Sequence, residues 1–121
     1  MNDGLRRVDQ RPIPPAEPGV RAFICVRNEA DRMPFLLQYH RRLGVRRFFI
    51  VDNDSSDGTV DCLLTEPDVH LWHTQDSYKD NWFGVSWLKV LLNGFASDRW
   101  ALILDADEFL VYPGCEQTDL K

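Results

Sequence analysis

Phe48-Phe-Ile-Val-Asp-Asn-Asp-Ser-Ser-Asp-Gly-Thr59 reads as a strand that runs directly into a polar turn. Phe48–Val51 are strand-forming apolar residues, and Asp52–Gly58 has the composition of a loop. A short helix follows through Leu64, with Ser56 or Asp57 placed to cap it. Strand, loop, helix is the unit from which a parallel sheet is built.

The flanking sequence repeats that unit. Upstream, Ala22–Val26 is a short apolar run ended by Arg27-Asn28-Glu29. Pro34 then suits the first turn of a helix in which Leu36, Tyr39, His40 and Leu43 recur at helical spacing, and Gly44 suits its end. Downstream, Pro67-Asp68 turns into Val69–Trp72. Val85, Leu88, Leu91, Leu92 and Phe95 next mark an amphipathic helix. Trp100–Leu104 is a fourth strand, and Phe109–Tyr112 reads as a further short extended piece before Pro113-Gly114. The alternation predicts an α/β fold with a parallel sheet.

In such sheets ligands bind outside the carboxyl ends of the strands. The polar groups collect there: Asn28 and Glu29 after the first strand, Asp52 after the second, and Asp105, Asp107 and Glu108 after the fourth. Three carboxylates in four positions repel one another and call for a positive partner. If Asp105 is extended, Asp105 and Asp107 point to the same side, and oxygen ligands at that spacing suit Mg²⁺ or Mn²⁺. The plainer alternative is that Asp105 caps a turn while Asp107 and Glu108 face solvent. His70 and His73 lie three apart on a strand, hence on opposite faces, and do not read as a metal pair. His40 reads as a core-edge residue of its helix. There is no GxGxxG, no Walker lysine motif and no Gly-x-Ser-x-Gly.

The totals fit one small domain of 121 residues, with 44% hydrophobic and 27% charged residues. Residues 1–20 hold four of the seven prolines without periodicity and read as a flexible leader, leaving 21–121 as the domain. No apolar run approaches the roughly 20 residues of a membrane span, and no signal-peptide core is visible. The expectation is a cytoplasmic protein, with room for peripheral attachment to the inner face of the membrane. Cys25, Cys62 and Cys115 form no CxxC; the first two sit among apolar neighbours and read as small core residues. Net charge is −5, split into +5 over residues 1–47 and −10 over 48–121. The arginines are scattered, with Arg41, Arg42, Arg46 and Arg47 reading as a solvated helix end, so no nucleic-acid partner is expected.

Taken together, Val26-Arg-Asn-Glu29, Val51-Asp-Asn-Asp-Ser-Ser-Asp-Gly-Thr59 and Leu104-Asp-Ala-Asp-Glu-Phe109 resemble the GT-A glycosyltransferases, specifically the family 2-like group. The resemblance covers roughly residues 21–115. It implies a partial GT-A, Rossmann-like sheet with the third, second, first and fourth strands side by side. It also implies a transferase that takes a sugar from a nucleotide-diphosphate donor, a UDP-sugar first among them, with Mn²⁺ or Mg²⁺ on the diphosphate. By the same resemblance, Asn28 and Glu29 line the nucleoside pocket, and Asp52 contacts base or ribose. Asp105 lies near the ribose and metal, and Asp107 ligates the metal directly. The loop departs from the Asp-Asp-Gly-Ser-Thr of many relatives. The half that follows the D-x-D in that group, with the acceptor pocket and any general base, has no counterpart here. The reading is therefore a donor-binding half with an unknown glycan, lipid or protein acceptor, and an exposed fourth strand that invites self-association. The rival from another class is a non-catalytic α/β nucleotide-binding or interaction module. A phosphatase-like hydrolase is a weaker third, because such enzymes carry their nucleophilic aspartate after the first strand.

Overall fold

The structure is a computed structural model that describes residues 4–14, 19–81, 84–95 and 100–105. In chain order it comprises β1 (Arg6–Arg7), β2 (Val20–Val26), α1 (Met33–Arg42), β3 (Val45–Asn53), α2 (Thr59–Leu64), β4 (Val69–Thr74), α3 (Val85–Phe95) and β5 (Trp100–Asp105), with a 3₁₀ turn at Lys79–Asn81. The sheet runs β1-β4-β3-β2-β5. Strands β4, β3, β2 and β5 are mutually parallel, in the order expected, and β1 adds antiparallel to β4. This is a mixed α/β sheet flanked by helices, consistent with part of a Rossmann-like fold. No helix among the described residues is long and apolar enough to cross a membrane.

The inner strands β2 and β3 are largely apolar on both faces because both faces are covered. One face buries Ala22, Ile24, Phe48, Ile50 and Leu71 with Met33, Leu36 and Leu37 of α1 and Leu63 of α2. The opposite face buries Phe23, Phe49, Val51 and Trp72 with Trp87, Leu88 and Leu91 of α3. There the Phe49 ring stacks on Phe23 at 5.0 Å and on Phe95 at 5.3 Å between centroids.

Local signals place the ends of α1 well. Pro34 sits in its first turn, where a missing N–H costs nothing. Gly44 follows the C-cap at φ +108°, and its N–H donates to the Arg41 carbonyl. Helix α2 starts one residue later than an Asp57 cap implied and two later than a Ser56 cap. Gly58 is its N-cap, while the Asp57 carboxylate accepts the N–H of Thr59 from one position further out. Helix α3 is rotated relative to the apolar pattern: Val85 is 59% exposed, and Trp87 is buried instead. The large indole fills the sheet face and decides which side of the helix turns inward.

Within the segment whose composition suggests a leader, the described residues 4–14 include several held to the sheet. Arg6–Arg7 pair with Trp72–His73, and the Val8 N–H donates to the Leu71 carbonyl. The Arg11 guanidinium donates to the carbonyls of Leu64 and Val69, and Arg21 reaches the Pro14 carbonyl. Side chain-to-backbone bonds of this kind leave no periodic trace in a sequence. Within the arginine cluster, Arg42 and Arg46 are exposed, as a solvated helix end implies, but Arg41 is not merely solvated. Arg41 forms a two-pronged bond to Asp68, at 2.7 and 2.6 Å, and a third bond to Glu66.

Candidate functional site

The carboxyl ends of β2, β3 and β5 lie side by side. Val26 pairs with Asp52, and Cys25 pairs with Asp105, the last residue of β5. The backbone of Asp105 is extended, as the two-residue argument required. Its side chain, and the whole of Asp107 and Glu108, lie outside the described residues, as does 109–112. Among the described residues no group of three His, Cys, Asp or Glu side chains is gathered to hold a metal.

The loops after β2 and β3 are stitched to each other. The Asn28 N–H donates to the Ser55 hydroxyl oxygen at 2.8 Å, and the Ser56 N–H donates to the Asn28 side-chain carbonyl at 2.7 Å. The Glu29 N–H donates to the Thr59 hydroxyl, and the Ala30 N–H to the Asp57 carboxylate. The Glu29 carbonyl meanwhile accepts the N–H groups of Arg32 and Met33 that open α1. The hydroxyl and N–H of Thr59, with the N–H of Ala30, hold the Asp57 carboxyl below the usual carboxylate range. Asn28 and Glu29 are thus brought beside the β3 loop, but their bonds tie loop to loop.

Asp52 is fully buried, with 0% of its surface exposed. Its two oxygens accept one bond each from Ser55, from the N–H at 3.0 Å and from the hydroxyl. Next to it, the Asn53 amide donates to the carbonyls of Thr74 and Asp76, holding the segment after β4 to the sheet. Asp54 is turned outward, and its Oδ1 lies 3.3 Å from Nε2 of His73 on β4. On the α3 side of this edge Gly84 stands at φ +87°, with Cys25 Sγ and Tyr78 only 3.1 Å from where a Cβ would lie. That approach excludes a side chain there.

The two histidines of β4 face opposite ways, as their spacing required. His70 is buried against Asp9 and Arg47, whereas His73 rises at the open edge beside Asp54. Sequence reasoning passed over Asp54, Ser55 and His73 as site components. The signal was present in part, since an aspartate directly after the end of a strand marks its turn, but the partner histidine comes from another strand.

A parallel α/β sheet with polar loops meeting at its carboxyl edge has the arrangement at which α/β domains bind their ligands. The chain's relatives are glycosyltransferases. The chain is 35% identical over 102 aligned positions to a glycosyltransferase family 92 protein of Oryza sativa subsp. japonica, covering 74% of this chain and 15% of the relative. It is 30% identical over 113 positions to a family 92 protein of Arabidopsis thaliana, covering 78% of this chain and 17% of that one. A family 92 protein of Ricinus communis matches at 30% over 118 positions, covering 80% and 19% respectively. The chain therefore spans less than a fifth of the length of these relatives. No family model matches it. The name these relatives carry is family 92 and not family 2, so the comparisons support the glycosyltransferase class and not the narrower resemblance.

Proposed function

We propose that this chain binds a nucleotide-diphosphate sugar, a UDP-sugar first among them, as the donor-binding part of a glycosyltransferase with a GT-A-like site. The observation that carries the reading is the convergence of Asn28, Glu29, Asp52 and Asp105 on one sheet edge. The similarity to family 92 glycosyltransferases over about three quarters of the chain points the same way. In this reading Asn28 and Glu29 border the nucleoside, and Asp105 lies near the ribose. Asp105 and Asp107 hold Mn²⁺ or Mg²⁺. Oxygen donors suit such a hard cation in kind, but Asp52 is committed to Ser55, and Asp57 to Ala30 and Thr59. The ion therefore rests on Asp105 and Asp107. When bound, it would offset the charge that develops on the diphosphate leaving group. The acceptor is a glycan, lipid or protein, and no described residue is assigned as general base.

Isothermal titration of the full chain with UDP and GDP, with and without Mn²⁺, tests this. The expected result is nucleotide binding that requires the metal and weakens at least about tenfold in Asp107→Asn, with the fold intact. Absence of metal-dependent nucleotide binding would overturn the reading in favour of a non-catalytic α/β module.

A further inference from the structure

The donor-binding reading leaves one carboxylate in an unsuitable place and another unexplained. Asp52, the expected contact to base or ribose, has no exposed surface, and both its oxygens already accept bonds from Ser55. A ligand could reach it only by dismantling the β3 loop. Asp52 fixes the loop; it does not face a guest.

Asp54 differs on each count. Its side chain is 52% exposed, and its Oδ1 sits 3.3 Å from His73 Nε2, itself 19% exposed. His73 pairs in register with Asp52, so its imidazole rises at the same edge as the β3 loop. The contact steadies one carboxylate oxygen and leaves lone pairs on both to accept further bonds. Asp54 also sits at φ +56°. It and Asn28, at φ +53° in the adjoining loop, are the only non-glycine residues with positive φ among the described residues. A backbone conformation of this kind costs on the order of 1 kcal/mol or more. A half-exposed carboxylate–imidazole pair returns little stability, in the range of about 0–1 kcal/mol. The arrangement therefore gives the fold little, and its value lies in what it presents outward.

Resting on the donor-binding reading above, we propose that Asp54, steadied by His73, is the carboxylate that accepts the vicinal hydroxyls of the donor's ribose, in place of Asp52. A carboxylate held at one oxygen suits two neighbouring hydroxyl donors, and each such charge-assisted bond discriminates against a sugar that lacks its hydroxyl.

The test is titration of the full chain with UDP and 2′-deoxy-UDP in the presence of Mn²⁺. Wild type is expected to prefer UDP by about tenfold or more. Asp54→Asn retains the backbone tolerance of the position and should weaken UDP more than the deoxy ligand, which has only its 3′-hydroxyl bond to lose, so that the preference for UDP narrows. His73→Phe should erode the same ratio. Asp52→Asn should lower the melting temperature yet keep the preference. If wild type binds neither ligand, the donor reading itself falls and this assignment falls with it. If wild type binds UDP but shows no preference, or Asp54→Asn keeps the full preference, the assignment to Asp54 is overturned while the donor reading stands.

Discussion

Asp9 and Leu71 stand 62 positions apart in sequence, and the Asp9 carboxylate accepts the Leu71 N–H at 2.7 Å. The same carboxylate takes a two-pronged bond from Arg7 and the N–H of Arg11. One buried side chain thereby fastens the N-terminal segment to the edge of β4. Burial alone would raise its pKa. The bonds from Arg7, Leu71 and Arg11 outweigh that and hold the carboxyl well below the usual carboxylate range. Because the folded value lies below the unfolded one, the stabilisation is present above pH 3.8 and is lost as pH falls toward the folded value. Asp9→Asn is expected to cost about 1.5–3 kcal/mol at neutral pH by urea denaturation. The gap from wild type should narrow in acid, and an unchanged gap at low pH would refute the linkage.

His40 and His70 set a second pH dependence. Arg47 donates to His70 Nε2 at 3.2 Å, which leaves Nδ1–H to face Asp9 at 3.4 Å, so the ring is partnered while neutral. Burial lowers the pKa of both histidines, opposed by the Asp9 carboxylate that accepts from His70 and the Leu36 carbonyl that accepts from His40. For a base depressed in the folded state, stability is present above the unfolded value of 6.5 and is lost as pH falls through the folded one. Melting temperature should therefore drop between pH 7 and pH 5. His40→Leu should flatten that slope, since a leucine there adds no proton on unfolding.

Ser55 joins the two loops of the candidate site through one hydroxyl, which donates to Asp52 and accepts from the N–H of Asn28. Ser55→Ala leaves a buried carboxylate oxygen short of a donor and should cost about 1–3 kcal/mol. Amide exchange at Asn28 should accelerate in the same variant, and Ser55→Thr should restore much of both. Protection at Asn28 that survives Ser55→Ala would show that the hydroxyl does not tie the loops.

Strand β5 bonds β2 on one side, and among the described residues no strand pairs with its other side. Ile103 on that strand is 57% exposed. Apolar edges of this kind add further strands. Analytical ultracentrifugation of the full chain is expected to show self-association that Ile103→Lys reduces. A wild-type chain that stays monomeric at all concentrations would remove the edge from consideration.

The sheet was legible because each parallel strand is a short apolar run ended by polar residues, as Phe48–Val51 before Asp52 shows. The strand order followed from the resemblance and reappears in the structure. What escaped the sequence depends on partners distant along the chain. Arg7, Asp9 and Arg11 look like linker residues until β4 supplies their acceptors and donors. Trp87 lies off the Val85–Leu88–Leu91 stripe, and its burial follows from the size of the indole against Phe49 and Trp72. At the candidate edge, position was readable and orientation was not. Asp52 and Asp54 are both aspartates in one loop, yet Ser55 turns the first inward and His73 meets the second outside.

The stitched loops bear on the thermodynamics of any complex formed there. Fixing one residue's backbone costs roughly 1–2 kcal/mol in entropy at room temperature. Asn28–Ala30 and Ser55–Thr59 have met that cost during folding, through bonds to each other. A guest arriving at this edge encounters amides and carboxylates already immobile, so its affinity is not eroded by freezing them. Calorimetry of a complex at these loops should accordingly lack the large unfavourable entropy of coupled loop ordering.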